Sequence, residues 1–161
     1  MLSECLGPNA VSRIDRDVIA QSGVSHALIF EGVNDIGGGD ASPSAQKQIG
    51  DNLINAYRQF ITRVHAAGLP AIGATITPFG GSFYDEPTGE RQRTRSRVND
   101  WIRRTTTEKG GFDFVADFDK AIRDPRNVTV LKKDFDSGDG LHPNTAAYVA
   151  MVEAFPLNAL S

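Results

Sequence analysis

The spacing of apolar residues along this chain switches between helical periodicity and short runs of consecutive apolar positions. Ile14 and Val18 fall four apart while Arg13, Asp15, Arg16 and Asp17 point elsewhere, which predicts a first helix from near Pro8 to Gly23. "SHALIFEG" then reads as a buried strand, because Ala27, Leu28, Ile29 and Phe30 run without polar alternation. Beyond a glycine-rich turn, Ser42 and Pro43 suit an N-cap and a first helical residue. Ile49, Leu53, Tyr57, Phe60 and Val64 continue that helix at spacings of three and four, up to Gly68. "LPAIGATITP" is a second strand, and "FDFVADF" a third. Between them a helix from about Pro87 to about Thr107 carries Val98, Trp101, Ile102 and Thr105 on one face. "PNTAAYVAMVEAF" closes the chain with a helix expected to turn Tyr148, Met151, Val152 and Phe155 inward. Strands separated by helices need crossover connections, so the predicted fold class is α/β, a parallel sheet with helices on both faces.

Composition narrows the classes of function. At 161 residues and 40% apolar the chain suits one globular domain, and no repeat, low-complexity segment or linker divides residues 1–161. Its 17 basic and 20 acidic residues are mixed, for a net charge of -3, which leaves no basic field for a nucleic-acid backbone. Arg91, Arg93, Arg95, Arg97, Arg103 and Arg104 crowd together but read as a solvated polar face balanced by acids elsewhere. The lone Cys5 permits no internal disulfide, and His26 and His65 lack metal-ligand spacing, so no metal or cofactor is expected. No apolar run is long enough to span a bilayer, and "MLSECLGPNA" has neither a basic nor a hydrophobic leader region.

In open α/β sheets ligands sit beyond the carboxyl ends of the strands, and two motifs fall there. After the first strand comes "EGVNDIGGG", in which the Asn34 carboxamide could donate an N–H to a developing oxyanion; alternatively Asn34 and Asp35 are turn residues. Near the end, "DSGDGLHPN" sets Asp139 three residues before His142, with Pro143 suiting the first position of the last helix. Asp139 could fix the tautomer of His142 and leave Nε2 free as a base; alternatively the two cap a turn and a helix in a polar loop.

Together, "GPNAVSRIDRDVIAQSGVSHALIFEGVNDIGGG" and "SGDGLHPN" resemble the third and fifth blocks, G-x-N-D and D-x-x-H, of the SGNH/GDSL ester hydrolase family. "RSRVNDWIR" and "DFDKAIRDP" resemble its acetylesterase-like branch, which includes acetylesterases acting on plant polysaccharides. The resemblance implies a flavodoxin-like three-layer α/β/α fold and hydrolysis of acyl or acetyl esters without metal or organic cofactor. It implies His142 as general base, Asp139 as its orienting acid and Asn34 as an oxyanion-hole donor, although some members support the base from a backbone carbonyl. The family's nucleophile lies in a G-D-S block, and no G-D-S triplet occurs among the 161 residues. Ser3, Ser42, Ser44, Ser82 and Ser137 do not follow a buried strand at a sharp turn, so none is expected to attack. The resemblance therefore implies the C-terminal part of a domain, lacking the first two strands, whose exposed sheet edge would favour self-association. A catalytically inactive remnant or carbohydrate-binding module is the competing expectation.

Overall fold

The structure, a computed structural model, describes residues 1–2, 7–105 and 110–160. Ser3, Cys5 and the expected helix end at Thr107 lie outside the described residues. Three parallel strands, β1 (Ala27–Ile29), β2 (Ala71–Ala74) and β3 (Phe114–Ala116), lie side by side in chain order. The register runs Ala27 beside Ala71 and Ile72 beside Phe114. Each crossover is helical, as the sequence pattern requires.

Helix α1 (Ala10–Ile14) continues into a π-helical turn, Asp15–Ile19. It starts close to Pro8 as predicted, capped by Asn9, whose side chain accepts from the Val11 N–H, and its helical turns end at Ile19, short of Gly23. The long helix α3 (Pro43–Ala66) begins at Ser42 and Pro43 as predicted and buries Leu53, Tyr57, Phe60 and Val64. Helix α4 (Glu90–Arg104) buries Val98 and Ile102 and leaves Trp101 half-buried, where its ring stacks on Tyr57. With α1, these helices cover one sheet face over a continuous apolar core that includes Ile29, Ala71 and Phe112. Helices α5 (Phe118–Ile122) and α6 (Thr145–Glu153) cover the other face through Ala74, Ala116, Ile122, Ala147 and Met151. Among the described residues, no helix is long and apolar enough to cross a membrane.

Four local expectations are corrected. The glycine-rich stretch after β1 contains a short helix, α2 (Val33–Gly38), entered through Gly32 at φ 114. On α6, Tyr148 and Val152 face solvent, and it is Ala147 and Met151 that pack inward. That helix is so apolar overall that its periodicity does not single out a buried face. Arg95 is not on a solvated face: it is 4% exposed and paired with Asp119, itself 2% exposed. Arginine spacing reports the amphipathic face but not a carboxylate brought in by a distant loop. Finally, the β1 run is not buried throughout. Ala27 and Ile29 point into the core, but Leu28 is 48% and Phe30 42% exposed, because α5 and α6 lie mainly over β2 and β3 and reach this side only through Phe118, edge-on to Phe30.

Among the described residues β1 pairs on one side alone, and a groove of about 260 Å³ runs along it between Leu28, Phe30, Ile14 and Val18. Such an edge offers unpaired backbone groups beside apolar side chains. Burying about 400 Å² of apolar surface there is worth about 10 kcal/mol before association costs. The open edge predicts a dimer or larger species at micromolar concentration by size-exclusion chromatography with light scattering. Leu28→Lys, on the exposed side of β1, should shift it toward monomer; Ile29 points inward and is unsuitable for the test. A compact monomer of the parent chain would show that the edge is protected.

Candidate functional site

Three loops meet beyond the carboxyl ends of the strands. The first follows β1 and leads into α2. Gly32 occupies the left-handed region at φ 114, and a Cβ there would lie 2.9 Å from Ile76 Cδ1. Just before it, the Glu31 carbonyl accepts from the Tyr57 hydroxyl at 2.6 Å. Burial, reinforced by the charges of Asp35 and Glu31, pushes the Tyr57 phenol far above its ordinary range, so it remains a donor. The start of α2 is thus pinned from inside the core. Asn34, one residue into the helix, is exposed, and its Oδ1 accepts from the Tyr84 hydroxyl at 3.0 Å. Asp35 points the other way, taking the backbone nitrogens of Met1 at 2.8 Å and Leu2 at 2.7 Å.

The second loop, residues 75–89, follows β2 and supplies Tyr84. Ser82 Oγ donates to the Phe79 carbonyl and accepts from the Tyr84 N–H. The third carries the Asp–His pair. Asp136 accepts from the Gly138 and Gly140 N–H groups at 2.9 and 3.0 Å, folding the chain back on itself. Asp139 Oδ1 then accepts from the backbone of Leu141 at 2.9 Å and of His142 at 2.8 Å, while its Oδ2 meets His142 Nδ1 at 2.6 Å. The two loops touch: a Cβ on Gly140 would lie 3.0 Å from Ser82 N.

The Asp139 carboxyl is held far below the usual carboxylate range, first by the His142 ring and then by the His142 and Leu141 N–H groups. His142 Nε2 makes no hydrogen bond to any described residue, and the ring is exposed. Nδ1 facing a carboxylate fixes the tautomer that leaves Nε2 able to accept a proton. One sequence expectation fails here: the N-cap of α6 is Asn144, whose side chain accepts from the Ala147 N–H. Pro143 therefore precedes the helix, and His142 lies outside its first turn, where the effect of the helix dipole has largely decayed.

The structure thus joins Asp139 to His142 directly and attaches both their loop and Asn34 to the loop after β2. No hydrogen bond links Asn34 to the pair among the described residues. Of the serines considered from the sequence, Ser82 and Ser137 are engaged in loop hydrogen bonds, the latter donating to Asp139 at 3.2 Å. Tyr84 escaped the sequence analysis; its only signal was its place just beyond the second strand. Among the described residues, no group of three or more His, Cys, Asp or Glu could hold a metal ion.

A parallel α/β sheet carrying a carboxamide and an Asp–His pair beyond its carboxyl edge is an arrangement suited to hydrolytic enzymes that work through an oxyanion. The chain belongs to the GDSL-like lipase/acylhydrolase family, whose profile matches residues 3–150. Its fold is similar to that of a protein from Desulfitobacterium hafniense DCB-2 named for lipolytic activity in the G-D-S-L family. That pair has a TM-score of 0.64 at 20% identity, covering 90% of this chain and 70% of the other. It is also similar to a protein from Bacteroides fragilis NCTC 9343 named as an acylhydrolase, with TM-score 0.62, 18% identity and coverage of 93% and 67%. A GDSL-like lipase from Bacteroides thetaiotaomicron VPI-5482 gives TM-score 0.62, 16% identity and coverage of 93% and 68%. No curated protein matches the chain in sequence.

The depressed Asp139 value has a measurable sign. A carboxyl whose folded pKa lies below its unfolded value stabilises the fold above the unfolded value, and that contribution is lost as pH falls through the folded value. The Asp139–His142 contact should therefore outlast the ordinary aspartate range near about pH 4. Carbon-detected NMR of the Asp139 carboxyl should show a midpoint well below the ordinary aspartate value, whereas a midpoint at the usual aspartate value of about 3.9 would mean the pair is open in solution.

Proposed function

We propose that this chain carries the acid–base and oxyanion parts of an ester-hydrolysing site. The observation that carries the reading is His142 Nδ1 held 2.6 Å from Asp139 Oδ2, with Nε2 free beyond the carboxyl ends of the strands. In this reading a serine hydroxyl attacks the ester carbonyl while His142 Nε2 takes its proton. Asp139 stabilises the imidazolium that results, and the Asn34 Nδ2 group donates to the oxygen on which charge develops. The imidazolium then protonates the departing alcohol, leaving an acyl-serine. Water, activated by the same imidazole, releases the acid. The substrate is an acyl or acetyl ester, with a carbohydrate ester favoured by the resemblance of "RSRVNDWIR" and "DFDKAIRDP" to acetylesterases.

The serine in this scheme is not one of the 161 residues, because no G-D-S triplet occurs among them. We read the chain as the C-terminal part of one SGNH-type domain, a reading supported by the unpaired edge of β1. The missing triplet also favours a second reading, a non-catalytic remnant or carbohydrate-binding module that keeps the loops without the chemistry. A G-D-S block encoded just upstream of Met1 would support the enzyme, and a stop codon there the remnant.

Two outcomes follow from the enzyme reading. The 161-residue chain alone should hydrolyse p-nitrophenyl acetate no faster than its His142→Ala variant, and a burst of p-nitrophenol dependent on His142 would overturn the assignment of an external serine. In a chain extended upstream by a G-D-S block, His142→Ala should lower kcat by about 10⁴-fold or more. Asn34→Ala should cost less, about 10²–10³-fold, the usual effect of one lost oxyanion donor. An unchanged kcat in Asn34→Ala would return Asn34 to the role of a helix-start residue.

A further inference from the structure

An asparagine carboxamide has two orientations related by a half-turn about its last torsion, nearly equal in shape and opposite in hydrogen bonding. Only one of them turns Nδ2 toward a reacting oxygen. An exposed side chain on a short helix would ordinarily sample both, and an amide that must first be oriented contributes little to a transition state.

Asn34 has a partner that selects between them. Its Oδ1 accepts from the Tyr84 hydroxyl at 3.0 Å, while Nδ2 makes no hydrogen bond to any described residue. A phenol oxygen shares its lone pair with the ring and is a better donor than acceptor, and an amide oxygen is the stronger acceptor of the two ends. The contact therefore favours Oδ1 toward Tyr84 and leaves Nδ2 on the opposite side.

Tyr84 is itself fixed from several directions. Its ring is buried and lies edge-on to Phe79, with centroids 6.4 Å apart. It also covers Gly37, one turn beyond Asn34 on α2, so closely that a Cβ there would fall 2.2 Å from Tyr84 Cγ. The ring occupies the space that any side chain at position 37 would fill. Its backbone is anchored as well: Arg91 Nη1 donates to the Tyr84 carbonyl at 3.1 Å, and Arg91 Nη2 to the Gly39 carbonyl at 2.7 Å. One guanidinium thus ties the loop after β2 to the end of the helix that bears Asn34.

We infer that Tyr84 is a positioning residue that fixes the Asn34 carboxamide with Nδ2 directed away from the fold, Gly37 being the position that admits its ring. The use of that Nδ2 rests on the function proposed above; the orientation itself does not. The test is the order of the Asn34 side-chain amide in the 15N-labelled 161-residue chain, its resonances identified by their loss in Asn34→Asp. Its 1H–15N heteronuclear NOE should be high in the parent and in Tyr148→Phe, a change at an exposed tyrosine. In Tyr84→Phe, which keeps the ring, it should fall to the value of the same side chain in urea. Gly37→Ala, which displaces the ring, should give the same loss. An Asn34 amide that stays as ordered in Tyr84→Phe and Gly37→Ala as in the parent overturns the inference. Failure here leaves the kcat comparison for Asn34→Ala standing, and a null result there leaves this coupling standing, so the two are separable.

Discussion

One buried carboxylate ties the segments that leave β2 and β3 to helix α4. Asp119, at the start of α5, takes Arg95 Nη1 at 2.5 Å, Arg103 Nη2 at 2.5 Å and Arg123 Nη1 at 2.9 Å. Its own N–H donates to Thr75 Oγ1, and Thr75 in turn donates to Asp117. Arg95 continues to the carbonyls of Ile76 and Val128. The segments leaving β2 and β3, helix α4 and the loop that carries Val128 therefore share a single electrostatic hub. Desolvation pulls the Arg95 pKa down while Asp119 opposes it; Arg103, less buried, is pushed upward by Asp117 and Asp119. A buried ion pair need not add stability over an apolar replacement, but removing one partner strands a charge and costs about 3–5 kcal/mol. Its value here is arrangement: it sets where the loop bearing Tyr84 begins.

Proximity of an acid to a histidine does not by itself make a site. His65 Nε2 lies 2.7 Å from Asp113 Oδ2, a contact nearly as close as the 2.6 Å between His142 and Asp139. That pair joins the end of α3 to the segment before β3, at the amino ends of the strands, and Asp113 also accepts from the Ala71 N–H. It fastens the sheet. The Asp139–His142 pair stands at the opposite end, on a loop that packs against the segment following β2. Position relative to strand direction separates the two pairs.

This difference also explains what the sequence made legible. Period and turn chemistry predicted the three strands, α3 and the last helix, because those signals are local. The Asp139–His142 contact was legible because three residues in a Gly-flanked loop cannot carry the groups far apart. Contacts across distant segments were not: Arg95 with Asp119 spans 24 positions and Asn34 with Tyr84 spans 50. The short α2 was missed because glycines dominate its second half, and the exposure of Leu28 because burial of a strand face depends on what other elements cover it. Apolar content alone could not separate the two faces of α6.

The carboxylate of Asp35 has a different bearing on the molecule. By gripping the backbone nitrogens of Met1 and Leu2, it brings the beginning of the chain to the helix that bears Asn34. The two neighbouring side chains of α2 thus serve different partners, Asp35 the backbone of residues 1 and 2 and Asn34 the loop after β2.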